Sequence, residues 1–228
     1  MTHSFDIGFD PRSEREERAW RLDLVITPID DFTGRVIVRG VTATIPRQRM
    51  RARRSLSGHL FVERWVPAEQ QFSNDKHSVH IDPKAAGYFA PSPNPIEIET
   101  PQENRNTRIL RLIRRPDTIE DGVSMIVRGS VVRQGNGDPV DGQVIEGRIA
   151  GIADPFRTRT NERGNFALRL RPPSPILGAD PVPVPITADV TLSFVDARNP
   201  GGVLIPDILL TDVEDMRTRV LPEQVEIP

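Results

Sequence analysis

The chain has 228 residues, 37% hydrophobic and 27% charged, with a mean hydropathy of −0.38 and a formal net charge of −2. That is the balance of a soluble globular protein, and at ~100–200 residues per domain it allows one large or two small domains. The absence of cysteine excludes a disulfide framework and a thiolate metal site, the near-neutral charge supplies no global attraction to nucleic acid or anionic membrane, and no run approaches the ~20 apolar residues of a membrane span.

The chain as given opens on Met1-Thr2-His3-Ser4-Phe5, without the basic start and apolar core of a secretory signal. Cytoplasmic synthesis is therefore expected, with any exit as part of a released or virion-like particle. Residues 1–19 end in a stretch charged all round, Arg12 to Ala19, and predict a solvated arm. From Trp20 the text turns to strands. Residues 21–26 alternate, 28–32 read as a turn, and 36–45 are β-branched; further strands fit 58–66, 79–81, 88–90, 96–98 and 107–113. Residues 114–122 carry turn and charge signals without alternation, which places a first domain at 20–115, a linker at 116–122 and a second domain at 123–228. In the second domain, strands fit 125–133, 140–149, 156–160, 166–170, 188–195, 203–210 and 219–227, while the prolines of 171–175 and 181–185 allow only extended or polyproline-like edges.

One pattern occurs twice. Gly34 and Gly137 each stand seven residues before a valine, Val41 and Val144, and Gly87-Tyr88-Phe89 is echoed by Gly164-Asn165-Phe166. A turn glycine opening one hairpin and a Gly-x-Phe closing another, repeated in order, predict a tandem pair of one small β domain. The expected fold class is all-β, two tandem sandwiches. On these landmarks 53 residues separate Gly34 from Gly87 but 27 separate Gly137 from Gly164, so an insertion is expected in the first domain at about 47–77.

That stretch holds the most unusual local chemistry, Arg47-Gln48-Arg49-Met50-Arg51-Ala52-Arg53-Arg54. On a strand, Arg47, Arg49, Arg51 and Arg53 would share one face, which repels itself unless an acidic partner covers it. The alternative is an exposed edge whose charge deters aggregation, or a solvated loop. With Arg54, Phe61 and Trp65 these residues form the candidate binding set. Nucleic acid is disfavoured as the partner, since the rest of the chain supplies no basic background. His77 and His80 are three apart and point to opposite faces of a strand, so no metal site is expected.

Residues 131–168, with Gly137-Asp138-Pro139-Val140-Asp141-Gly142 followed by Thr158-Arg159-Thr160-Asn161-Glu162-Arg163-Gly164-Asn165-Phe166, resemble the carboxypeptidase-regulatory-like domain. The first half is similar but diverged, keeping Thr33-Gly34-Arg35, Val41 and Gly87-Tyr88-Phe89. The resemblance implies a transthyretin-like (Ig-like) sandwich of about seven strands. It leaves function open, because such modules are appended to enzymes, surface proteins, transporters and phage-tail-like particles.

Among enzymes of transthyretin-like fold, the hydroxyisourate hydrolases end in Tyr-Arg-Gly-Ser and the intradiol dioxygenases hold iron with two tyrosines and two histidines. This chain ends Val225-Glu226-Ile227-Pro228 and has Tyr88 as its single tyrosine. No serine stands with a histidine and a carboxylate in a recognisable order, and the acidic clusters, Asp30-Asp31 among them, read as turns. The expectation is a protein without catalytic residues or cofactor: a structural or protein–protein interaction subunit of a larger assembly such as a phage-tail-like or contractile injection particle. The alternative is a carbohydrate- or other ligand-binding module that stacks its ligand on Trp65, Phe61 and Tyr88.

Overall fold

Alternation in residues 24–26 and 60–62 turns one side of each strand inward: Leu24, Ile26, Leu60 and Val62 are buried, whereas Val25 and Phe61 are half-buried on the opposite face. The computed structural model describes residues 18–67, 75–100, 107–119, 124–171, 186–196, 202–215 and 217–228. Its first half contains β1 (Arg18–Asp30), β2 (Thr42–Ile45), β3 (Met50–Arg51), β4 (Arg53–Arg54), β5 (Leu60–Pro67), β6 (Asp75–Asp82), β7 (Ile96–Thr100) and β8 (Thr107–Leu112). They form two sheets, β4-β5-β1-β8 and β3-β2-β6-β7. The inner faces meet in a core that includes Leu24, Ile26, Val41, Leu60, Val79, Ile81 and Leu112.

The second half contains β9 (Met125–Arg133), β10 (Val144–Ile149), β11 (Phe156–Arg159), β12 (Asn165–Leu170), β13 (Thr187–Phe194), β14 (Ile208–Glu214), β15 (Thr218–Val220) and β16 (Val225–Ile227). Its sheets are β12-β9-β15, with β16 also on β9, and β11-β10-β13-β14. The core between them includes Val127, Ile145, Leu168, Val190 and Leu192, with Phe166 and Phe194 meeting edge to face at 6.3 Å. The protein is all-β, two β sandwiches in tandem.

The two halves share one topology. β1 pairs antiparallel with β5 and parallel with β8, and β9 pairs antiparallel with β12 and parallel with β15 and β16. The hairpin after the first strand repeats bond for bond. Gly34 N–H donates to Asp30 O and Ile37 N–H to Pro28 O, as Gly137 N–H donates to Arg133 O and Val140 N–H to Val131 O. The turn before the fourth or fifth strand repeats as well. Gly58 N–H donates to Ser55 O and Ser55 N–H to His59 O, as Gly164 N–H donates to Asn161 O and Asn161 N–H to Asn165 O.

These bonds correct the second landmark. Gly164-Asn165-Phe166 corresponds to Gly58-His59-Leu60, and Gly87 instead closes a turn at Lys84–Ala86 with no strand after it, Tyr88 making only a single bridge to Arg114. Gly34 to Gly58 is 24 residues, close to the 27 between Gly137 and Gly164, so there is no insertion at 47–77. That stretch holds β3, β4, β5 and the start of β6, strands of the shared plan.

Three smaller boundaries also move. β1 starts at Arg18, inside the expected arm, whose residues 1–17 lie outside the described residues. β1 also runs through Pro28 where a turn is expected. The proline is tolerated because β5 has ended opposite Ile26, so no strand on that side requires its missing N–H. The span 203–210 is shifted: β14 begins only at Ile208, beyond Pro206. The proline-rich span 172–185 lies outside the described residues.

Candidate functional site

The arginine segment is not one strand face. Pro46–Gln48 is a turn of 3-10 helix, and Arg49 follows it in the left-handed region at φ 51°. Arg51 then lies in β3 opposite Thr44, and Arg53 lies in β4 opposite Phe61. The chain therefore crosses from one sheet to the other at Ala52, whose N–H donates to Ala43 O. Arg47, Arg49, Arg51 and Arg53 are all exposed, spread over a turn and two sheet edges, and Arg53 lies 3.6 Å from Glu63.

Arg54 has a different role. Its guanidinium donates to the carbonyls of Ile37, Val38 and Val41, and burial pushes its pKa down. In the second sandwich Thr160 occupies the same place, its hydroxyl donating to Val140 O and accepting from Gln143 N–H. Arg54 thus closes the first hairpin and is not free for a partner. Arg54→Met should lower stability by about 1–3 kcal/mol in urea unfolding, because it strands carbonyls in a half-buried position. Phe61 is half-buried beside β4; Trp65 stands opposite Trp20 in the β1–β5 register, and its side chain lies outside the described residues.

The joint between the sandwiches is docked. Residues 116–118 form a 3-10 turn with Pro116 buried, and Arg128 holds it by donating to Pro116 O and Ile119 O. Arg115 reaches Glu162 at 2.7 Å and stacks on Phe89, and Ile119, Ile126 and Ala167 form a small apolar cluster. The remaining linker residues, 120–122, lie outside the described residues.

Beside this joint lies a cleft of about 540 Å³ walled by both sandwiches. The end of β1 supplies Asp30, Asp31 and Phe32, the segment after β8 supplies Arg114, and β11 and β12 supply Phe156, Arg157 and Arg169, with Arg171 just beyond. Asp30 is 4% exposed. It accepts hydrogen bonds from Tyr88 Oη (2.7 Å) and Thr33 N–H (2.8 Å), with Arg114 at 3.4 Å. Burial pushes its carboxyl up, but these donors outweigh burial and hold it below the usual aspartate value. Burial, together with the bond to Asp30, pushes the Tyr88 phenol up.

Tyr88 is therefore a buried strut. It is 5% exposed, with Arg114 over its ring at 5.2 Å, so it offers no face on which a sugar could stack. Phe32 is gripped from the other sandwich: Arg169 lies over its ring at 4.2 Å, Arg171 lies at 5.3 Å and donates to Phe32 O, and the Phe156 ring is 6.2 Å away. None of Asp30, Phe32, Arg114, Arg169 or Arg171 is in the sequence-derived candidate set. The signal that was present is the pair Arg169 and Arg171, two apart at the end of a strand-like run, although β12 itself ends at Leu170. Among the described residues no group of His, Asp and Glu is arranged to hold a metal, and no helix is long and apolar enough to cross a membrane.

No family model matches the chain, and no curated protein matches it. Among solved structures, the Bacillus anthracis TIE protein is similar over 91% of this chain and 34% of its own, at 12% identity and a TM-score of 0.31. A streptococcal ancillary pilin is similar over 94% of this chain and 64% of its own, at 12% identity and a TM-score of 0.28. BcpA, the major pilin subunit of Bacillus cereus, is similar over 92% and 70%, at 8% identity and a TM-score of 0.27. The chain spans about a third of the first of these and just under two thirds of the second. Likenesses this slight leave the fold resting on the strand order and register themselves.

Proposed function

We propose that this protein is a non-enzymatic structural subunit that binds protein partners within a larger assembly. The observation that supports the reading is the placement of guanidinium groups. Arg47, Arg49, Arg51 and Arg53 are all exposed on the first sandwich, and further arginines line the cleft between two sandwiches held by a docked joint. A docked pair of sandwiches is a stiff spacer, and exposed arginines favour acidic protein surfaces through forked hydrogen bonds. As the setting we infer a phage-tail-like or contractile injection particle put together inside the cell, supported by the resemblance of residues 131–168 to modules found in such particles. The sugar-binding alternative loses Tyr88, which is buried.

Tagged protein should recover its partners from the source cell at low salt. Recovery should fall steeply at high salt, since exposed charge pairs are screened within ~8–10 Å at physiological ionic strength. Changing Arg47, Arg49, Arg51 and Arg53 together to glutamate should abolish recovery and leave the circular dichroism spectrum intact, because none of the four is buried. Undiminished recovery by the charge-reversed protein contradicts the role given to these arginines.

A further inference from the structure

We propose that the cleft between the sandwiches is a carboxylate-binding site that takes an acidic segment of a protein partner, with Arg169 and Arg171 as the receiving guanidinium groups. The inference rests on the interaction reading above and gives it a second, separate surface. Most of the cleft's charges are already matched: Arg114 lies 3.4 Å from Asp30, Arg111 lies 3.7 Å from Asp31, and Arg157 lies 2.9 Å from Glu146. Arg169 is not. Among the described residues no carboxylate lies within 4.0 Å of it and its side chain makes no hydrogen bond; the Phe32 ring lies against its guanidinium at 4.2 Å. Arg171 uses one bond, to Phe32 O, and has no carboxylate within that distance either.

Two guanidiniums without an ion-pair partner, both against one aromatic ring, repel each other and are repelled by Arg114, while Asp30, already held by Tyr88 and Arg114, attracts Arg169 from beyond ion-pair distance and offsets part of that repulsion. Contact with Phe32 restricts both guanidiniums, and Arg171 is further held by its bond to Phe32 O, while the remaining N–H donors are left for a carboxylate. Asp154 is a further carboxylate of the cleft, on an exposed turn with no cation within 4.0 Å among the described residues, so it forms no ion pair with either arginine. Phe156 and Ile152 give the cleft an apolar wall next to the arginines. A peptide carrying acidic and apolar side chains in alternation would use both features, whereas free phosphate would leave the apolar wall uncovered. The volume, about 540 Å³, falls in the range of ~300–1,000 Å³ usual for ligand clefts.

The test uses the full chain with its arginine side chains labelled for nuclear magnetic resonance. The probes are a capped Glu-Leu-Glu-Leu-Glu peptide, the same peptide with glutamine for glutamate, inorganic phosphate, and a galacturonic acid trimer. The acidic peptide should shift the Nε–Hε signals of Arg169 and Arg171 saturably, with affinity dropping about tenfold or more as salt is raised from low to well above physiological strength. Binding should be lost in R169Q/R171Q. Unmoved signals, equal binding of the glutamine peptide, or tighter binding of phosphate or of the uronic acid would each overturn the proposal; the glutamine comparison needs only wild-type protein and stands even if the double variant does not fold. If wild-type protein recovers partners from the cell while the acidic peptide leaves the cleft signals unmoved, the cleft proposal fails and the interaction reading stands. If no partner is recovered at all, the broader reading fails.

Discussion

Replacing Gly164 with alanine should cost the second sandwich about 3 kcal/mol or more, against about 1 kcal/mol for the same change at Gly137. Both glycines have positive φ, 73° and 70°, so both carry the left-handed penalty of an added Cβ. They differ in surroundings. A Cβ at Gly164 would lie 2.4 Å from the carbonyl oxygen of Val131, which belongs to the central strand β9 and cannot move without disturbing the sheet; at Gly137 it would meet nothing within 4 Å. The topological equivalent of Gly164 is Gly58, at φ 92° with Val36, Val38 and Ile37 within 3.1 Å of a built Cβ. Gly58→Ala should therefore behave like Gly164→Ala, and Gly34→Ala like Gly137→Ala. Urea unfolding of the four variants checks the ranking, and a Gly58 variant no weaker than the Gly34 variant would break the equivalence.

Asp30→Asn should destabilise the protein by about 2 kcal/mol. The change keeps the side chain's size but weakens the bonds from Tyr88 and Thr33 and leaves Arg114 without its anion. The figure is set below that of a fully buried ion pair because the Arg114 side chain is 37% exposed and water takes over part of its solvation. The effect depends on pH with a definite sign. Asp30 has a folded pKa below its unfolded value, so its contribution is complete above the unfolded value of about 3.9 and is lost as pH falls through the folded one. The difference in stability between wild type and Asp30→Asn should be constant near neutrality and shrink on acidification below about pH 4. Asp31→Asn is the control: its pair with Arg111 is 3.7 Å long, with the arginine exposed and the aspartate half-buried, and should be worth less than about 0.5 kcal/mol.

Class, tandem repetition and many strands were legible because the signals are local. β9 occupies 125–133 as its β-branched run predicts, and the Gly34 and Gly137 hairpins correspond as their spacing suggests. The second landmark misled for a chemical reason. The first sandwich closes its turn with Gly58-His59-Leu60 where the second has Gly164-Asn165-Phe166, and Leu60 and Phe166 are both buried core residues that look unlike as letters. Gly87-Tyr88-Phe89 matched the string but serves the joint, where Gly87 O accepts from Arg115 N–H and from the Thr118 hydroxyl. Arg54 and Thr160 show the same substitution of chemistry at one position.

The cleft was out of reach of local patterns. Asp30 reads as an ordinary turn aspartate, and only Tyr88, 58 residues away, makes it a buried anchor. Phe32 and Arg171 meet across 139 residues of chain. The alternation of arginines at 47–53 was real in the text, but a 3-10 turn and the crossing between sheets at Ala52 break the single face that strict alternation implies.

The correspondence of the two sandwiches carries the account, since it removes the insertion and moves functional interest toward the cleft. The absence of native cysteine permits a direct measurement of it. In the register, Ser130 stands opposite Asn165, and the equivalent positions in the first sandwich are Thr27 and His59, whose side chains meet at 2.8 Å. Two double variants, Thr27→Cys with His59→Cys and Ser130→Cys with Asn165→Cys, should each form an intramolecular disulfide on mild oxidation of the folded protein. Ready crosslinking of both pairs is the predicted result. Crosslinking of the second pair with none in the first would contradict the shared plan.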